Sequence, residues 1–248
     1  MAAVDCPAGM NMAGVNVAAV VGEEPLVHLC SYPRSGNHLL RGIVEYFSGR
    51  PTLGCACNRL DIPLHLQREL TTVLGHVSGV AVARKHHHWD LPPPCGSPDA
   101  KMVLLLRDWH ECVTRHVGHR NRSALERNLK DYSSIAQFFD KWPAAQKHVV
   151  YYDDLLLRPE ETLKPLLEFL DIFDEARWAA FFSGGDLKAL KAASLALYDR
   201  TERSESKGAS VVFHRKRIPE HVWDQVRHLI LPLPILQQFD TPLDAPPP

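Results

Sequence analysis

Apolar and polar positions alternate in blocks along this chain, and the blocks change period. Leu26 to Tyr32 (LVHLCSY) is an apolar-rich run closed by Pro33, the pattern of a buried strand. After the polar PRSGN, the segment HLLRGIVEYF places Leu39, Leu40, Ile43, Val44 and Phe47 on one helical face. A second short strand is expected at Val80 to Ala83, ending at Arg84-Lys85-His86-His87-His88, and LPPP at 91–94 then forces extended chain or a turn. Met102 to Leu106 (MVLLL) is the clearest buried strand, and Trp109 to Val117 the helix after it.

His148 to Tyr152 (HVVYY) predicts a further strand. Pro159 then opens a helix with acidic residues in its first turn, and Pro165 inside the pattern predicts a kink. Ala176–Phe182 and His221–Leu229 read as helices, Ser204 to Ser210 as a polar loop. Strands that are nearly all apolar and alternate with helices predict an α/β fold, a single domain with a central parallel sheet flanked by helices. The domain is drawn at 25–238. A loose leader at 1–24, with no basic residue and so a poor signal peptide, precedes it, and a proline-rich tail at 239–248 is expected to be disordered.

Composition narrows what such a domain can do. The 248 residues are 45% hydrophobic and 23% charged, an ordinary globular balance, and no apolar run approaches the roughly 18 residues of a membrane span. Lys+Arg 28 against Asp+Glu 29 leaves a net charge of -1, so an anion site must be built locally rather than by bulk charge. The basic run His214-Arg215-Lys216-Arg217 has no interleaved aromatics and reads as a solvated or phosphate-adjacent loop, so no nucleic-acid partner is expected. Six cysteines are too few for a disulfide scaffold. Cys55-Ala56-Cys57 has no second pair to complete a zinc site, and Cys30 and Cys112 fit buried thiols. Reduced cysteines imply a cytoplasmic protein, and no metal is expected.

In parallel sheets ligands bind at the carboxyl ends of the strands. Three polar clusters fall there: PRSGNH after the first strand, RKHHH after the second and RDWHECVTRH after the third. The first is a strand-turn-helix whose backbone N–H groups would suit phosphate or sulfate, with Arg34 as a fixed cation.

Together the clusters are more specific. SYPRSGN resembles the 5′-phosphosulfate loop of sulfotransferases, and LLLRDWHECVTRH resembles their 3′-phosphate segment. VVYYDDLLLRPEETLKPLLEFLDI follows the family's Tyr-Glu-Asp, Pro and Phe-Leu stretch, and SKGASVVFHRKRIPEHVWDQV is similar to its C-terminal phosphate loop and following helix. The four stretches stand in family order between about residues 26 and 229. The resemblance implies a P-loop-like sulfotransferase fold and transfer of a sulfuryl group from 3′-phosphoadenosine 5′-phosphosulfate to a hydroxyl or amine, on a small molecule or a side chain, without a metal. It implies that Arg34, Ser35, Gly36, Asn37 and His38 line the 5′ side, that Arg107 holds the 3′-phosphate, that Tyr152 lies near adenine, and that Lys207 and Gly208 belong to the C-terminal loop.

Departures from the family pattern matter as much. Arg115 stands where a serine is usual, with Thr114 beside it, so either could hold the 3′-phosphate; Ser206 replaces the C-terminal loop's arginine. Leu39 stands where a tryptophan often packs near the nucleotide, and Asn37 and His38 replace threonines. Lys85-His86-His87 aligns with the family's Lys-Thr-His, which makes His87 the expected base and Lys85 the support for the bridging oxygen. On an extended segment His86 and His88 point one way and His87 the other. Glu45 is a weaker alternative base, more simply a solvated helix residue. Trp89, Trp109 and Trp142 either border the acceptor pocket or, by default, pack. A P-loop kinase is disfavoured, because no lysine follows Gly36 at the required spacing and Asp108 is the one clear metal carboxylate after the third strand. A non-catalytic nucleotide-binding relative remains a third reading.

Overall fold

The computed structural model describes residues 26–54, 68–88, 91–92, 97–117, 122–205 and 220–239. Five strands form one sheet: β1 (Val27–Ser31), β2 (Thr52–Leu53), β3 (Ala83–His86), β4 (Lys101–Leu106) and β5 (Lys147–Tyr151). All pairings are parallel, and the order is β2-β3-β1-β4-β5. Helices fill the crossovers from β1 to β2, from β2 to β3 and from β4 to β5, and further helices follow β5. They are α1 (Asn37–Ser48), α2 (Arg68–Leu74), α3 (Trp109–Val117), α4 (Arg122–Asp140), α5 (Tyr152–Leu157), α6 (Pro159–Phe169), α7 (Glu175–Ser183), α8 (Asp186–Glu205) and α9 (Glu220–Val226).

The sheet separates two cores because side chains alternate across it. Leu29, Val103, Leu105 and Val150 face α1, α6, α7 and α8, against Leu40, Ile43, Leu166, Phe181 and Leu190. Cys30, Met102, Leu104 and Leu106 face α3, α4 and α9, against Val113, Leu129, Ile135 and Trp223. With both faces covered, Met102 to Leu106 of β4 must be apolar throughout, and all five are buried. This is the predicted α/β architecture.

Several expected boundaries move. The second strand predicted at 80–83 lies at Ala83–His86 instead, and Val80 is 43% exposed in the turn before it. Arg84 and His86 are tolerated inside that strand because each finds a partner: Arg84 Nη1 donates to the Gly54 carbonyl at 3.5 Å, and His86 bonds to His28. Ser204 and Glu205, expected in a loop, belong to α8, and 206–210 lie outside the described residues. Helix α6 continues through Pro165 to Phe169. The leader at 1–24, residue 25 and residues 240–248 of the tail also lie outside them, whereas Phe239, placed in the tail, ends a short 3-10 helix from Pro234.

Strand order fixes where a ligand can sit. From β1 the chain turns to the β2 side of the sheet, and from β4 it turns to β5 on the other side. The crevice between the carboxyl ends of β1 and β4 is therefore the topological switch point.

Candidate active site

The loop after β1 runs from Tyr32 to Gly36. The Ser35 N–H closes its turn on the Tyr32 carbonyl at 3.3 Å, and both Arg34 (φ 74) and Gly36 (φ 90) are left-handed. No side chain caps α1, and its first turn holds no acidic residue, so its amino end is open to an anion. The loop presents backbone more than side chain. Ser35 is buried, with its Oγ 3.4 Å from Cys112 Sγ, and Asn37 Nδ2 donates back to Ser31 Oγ at 2.8 Å. Burial pushes the Cys112 thiol up to about 12, so it stays protonated against Ser35.

Arg107 follows β4 directly. Its Nη1 donates to the Arg34 carbonyl at 3.4 Å, and its Nη2 stands 2.5 Å from Glu111 Oε2 one helical turn on. The same oxygen of Glu111 is 3.6 Å from Arg115 Nη2. The Arg107 guanidinium lies 4.3 Å from the centre of the Tyr152 ring. Pairing of Leu106 with Tyr151 explains that contact, because Arg107 and Tyr152 directly follow the ends of these neighbouring strands. Asn37 Oδ1 and Arg107 Nε are buried, and neither has a hydrogen-bond partner among the described residues.

On the other side of β1, the end of β3 brings three imidazoles that diverge. His86 Nε2 lies 3.1 Å from His28 Nδ1 on the α4 face. His88 stacks over Tyr32 at 5.8 Å and points Nε2 at Asp131 Oδ2, 3.4 Å away. His87 turns to the end of β1, with Nδ1 2.6 Å from the Ser31 carbonyl. A carbonyl only accepts, so Nδ1 carries the proton and Nε2 keeps a lone pair. Burial first, then the positive charge of Lys85, hold His87 well below the usual histidine range. Burial likewise drives His38 down to about 3, helped by Lys85, Arg41 and Arg34, and lowers His116, helped by Arg34. The strand ends thus form a positive field in which these histidines are neutral.

The structure gathers Arg34 to His38, Lys85, His87, Arg107 and Tyr152 around the ends of β1, β3, β4 and β5. Arg115 joins them through Glu111, and Thr114 is half-buried beside it. Lys207, Gly208, Ser206, Trp89 and 214–217 lie outside the described residues. One expectation needs correction. Glu45 is not solvated: it is fully buried, and its Oε1 accepts from Thr52 N at 2.8 Å and Thr52 Oγ1 at 2.6 Å. It ties α1 to β2, along with Arg41, whose Nε donates to the same hydroxyl. Trp109 and Trp142, 1% and 7% exposed, belong to the second core, Trp109 against Trp223 and Trp142 against His28. Leu39 packs in the first core. Asp108 is engaged with its own helix, accepting from the His110 N–H at 2.7 Å. Sequence reasoning missed Glu111, although Arg107, Glu111 and Arg115 stand four residues apart, the spacing that pairs charges on a helix.

A model of the sulfotransferase family matches residues 97–175. The resemblance read in the motifs is borne out. The matched span holds Arg107, Thr114, Arg115 and Tyr152; the Tyr32–Gly36 loop, Lys85 and His87 precede it. Solved sulfotransferases are similar to this chain at low identity. Mouse sulfotransferase SULT7A1 complexed with PAP is 13% identical, over 77% of this chain and 69% of that one, with a TM-score of 0.42. The sulfotransferase domain from the Synechococcus PCC 7002 olefin synthase is 16% identical, over 88% and 95%, with a TM-score of 0.45. The sulfotransferase domain from the curacin biosynthetic pathway is 16% identical, over 88% and 98%, with a TM-score of 0.44. No curated protein matches the sequence. Among the described residues, no helix is long and apolar enough to cross a membrane.

Proposed function

We propose that this protein transfers a sulfuryl group from 3′-phosphoadenosine 5′-phosphosulfate to a hydroxyl or amine acceptor in the cytoplasm. The observation that carries this reading is the convergence, at the switch point, of an uncapped helix start with Arg34 and of Arg107 stacked on Tyr152. The residues fit such a donor. The uncapped start of α1 offers backbone N–H groups to a 5′-phosphosulfate, and the buried Arg107 Nε has an unused proton for a second anion.

In this reading the donor's S–O bond to its phosphate breaks as a bond forms from sulfur to the acceptor atom, in line. His87 Nε2 takes the acceptor's proton. Arg34, Lys85 and the amides at the start of α1 meet the negative charge that develops on the departing phosphate. Lys207 and Gly208 complete the phosphate contacts, with Arg115 or Thr114 at the 3′ end.

Inward-turned Ser35 and Asn37 favour the second reading, a nucleotide-binding protein without transfer. Two measurements decide. Adenosine 3′,5′-bisphosphate should raise the melting temperature more than AMP does, since ligand at about 100 times its dissociation constant adds roughly 2.7 kcal/mol. Labelled donor sulfate should then appear in products from a pool of alcohols, phenols, sugars, amines and tyrosyl peptides. Equal shifts for the two nucleotides would remove the 3′-phosphate assignment. Binding with no product from any acceptor would leave the second reading.

A further inference from the structure

Glu111 stands in the place of a ligand. Its Oε2 lies 2.5 Å from Arg107 Nη2 and 3.6 Å from Arg115 Nη2, between the two guanidinium groups offered for a phosphate. All three side chains are largely covered, with 12%, 21% and 24% of Arg107, Glu111 and Arg115 exposed, so the contact is screened less than a surface pair would be. Helical geometry keeps the three side chains within reach of one another: residues 111 and 115 are one turn apart on α3, and Arg107 precedes its start. A carboxylate and a phosphate oxygen compete for the same fork of donors.

We infer that Glu111 is a resident competitor for the nucleotide's 3′-phosphate, and so sets both the affinity for that phosphate and the rate at which a 3′-phosphorylated product leaves. This deepens the donor reading above and rests on it. Binding of a 3′-phosphate exchanges one anion for another at Arg107 and Arg115, so the net gain is smaller than two arginines would otherwise supply. Release runs the exchange backwards. As the phosphate departs, the carboxylate returns to the guanidinium groups and no bare cation pair is left behind. A nucleotide without a 3′-phosphate leaves the Arg107–Glu111 pair closed and gains nothing from opening it.

The test is Glu111→Gln, which keeps the side chain's size and removes its charge. Dissociation constants are measured by calorimetry for adenosine 3′,5′-bisphosphate and for AMP, on the full chain and on the variant. Loss of one charge-assisted competitor should tighten bisphosphate binding on the order of tenfold and slow its release by a similar factor, read by stopped-flow displacement. AMP affinity should stay the same. A general electrostatic effect would tighten AMP equally, because AMP also carries a phosphate, and that result would overturn the inference. Weaker bisphosphate binding in the variant would overturn it too, showing that Glu111 orients Arg107 for the ligand. Equal bisphosphate affinity in both proteins would defeat the inference and leave the donor reading standing. No bisphosphate binding by either protein would bring down both.

Discussion

The ring of Tyr152 fills the space that a β-carbon on Gly36 would occupy. Built there, that carbon would stand 2.2 Å from Tyr152 Cε2 and 2.5 Å from Cδ2. The first residue of α5 therefore presses on the last residue of the loop after β1, far away in sequence. Because the same ring lies beneath Arg107, one aromatic side chain sets the distance between the two anion-facing segments.

Gly36→Ala should consequently be costly. The left-handed φ of +90° costs a residue with a β-carbon about 1–2 kcal/mol, and overpacking against the ring about 1–3 kcal/mol more. At this chain length each kcal/mol lowers the melting temperature by about 2–4 °C. Gly36→Ala and Tyr152→Ala should couple, with the double variant less destabilised than the sum of the singles. Strict additivity in thermal melts would contradict the contact.

Arg107→Ala should weaken adenosine 3′,5′-bisphosphate by about 10–150-fold, the equivalent of a charge-assisted contact of about 1.5–3 kcal/mol, and leave AMP nearly unchanged. Arg107→Lys should fall between, because lysine keeps the charge but neither the fork nor the planar stack on Tyr152. Calorimetry with both nucleotides checks this. Equal losses for the two would mean that Arg107 supports the loop through the Arg34 carbonyl rather than a 3′-phosphate.

The histidines after β3 should separate chemistry from stability. His87→Ala should reduce turnover by roughly 10²–10⁴-fold with bisphosphate affinity little changed, the loss expected for a positioned base. His86→Ala should instead lower the melting temperature, since it strips the buried His28 of its partner. His88→Ala should be the mildest in turnover. Near-wild-type turnover in His87→Ala would remove it as the base, and a collapse in His88→Ala would transfer the role to the imidazole facing Asp131.

Acid should destabilise the protein earlier than its carboxylates alone would require. Burial, then His86 and Arg84, lower His28 to about 4, and His38 lies at about 3. Both are lowered in the folded chain, so below pH 6.5 the unfolded chain binds more protons and stability falls with pH. Each such histidine contributes a slope of up to about 1.4 kcal/mol per pH unit, from 6.5 down toward its folded value. Melting temperatures recorded between pH 7.5 and 5 should decline across that range. A flat profile would count against the buried neutral histidines.

Legibility in the sequence followed burial. Met102 to Leu106 was readable because a strand covered on both faces has no polar position to disguise it. β3 was displaced by three residues because Arg84, Lys85 and His86 mimic a loop, and their partners, Gly54 and His28, come from other segments. Helix α4 carries its own local signal, since Leu125, Leu129, Tyr132, Ile135, Ala136 and Phe139 repeat at helical spacing. β2, two residues long, owes its existence to Glu45 and Arg41 on α1, which no local pattern reveals. In the site, PRSGN and Arg107 were readable as a cradle and a strand-end cation. The pressure of Tyr152 on Gly36 was not, since only the pairing of β4 with β5 creates it.

The central position of β1 has a consequence for how the protein is made. A ribosome delivers β1 first, but Val27 waits for Ala83 on one side and Lys101 on the other. The loop after it meets the Tyr152 ring only when that residue has emerged. A nascent chain paused between residues 106 and 147 carries β4 as an apolar edge with no β5 to cover it, the kind of surface that recruits chaperones or other unfinished chains.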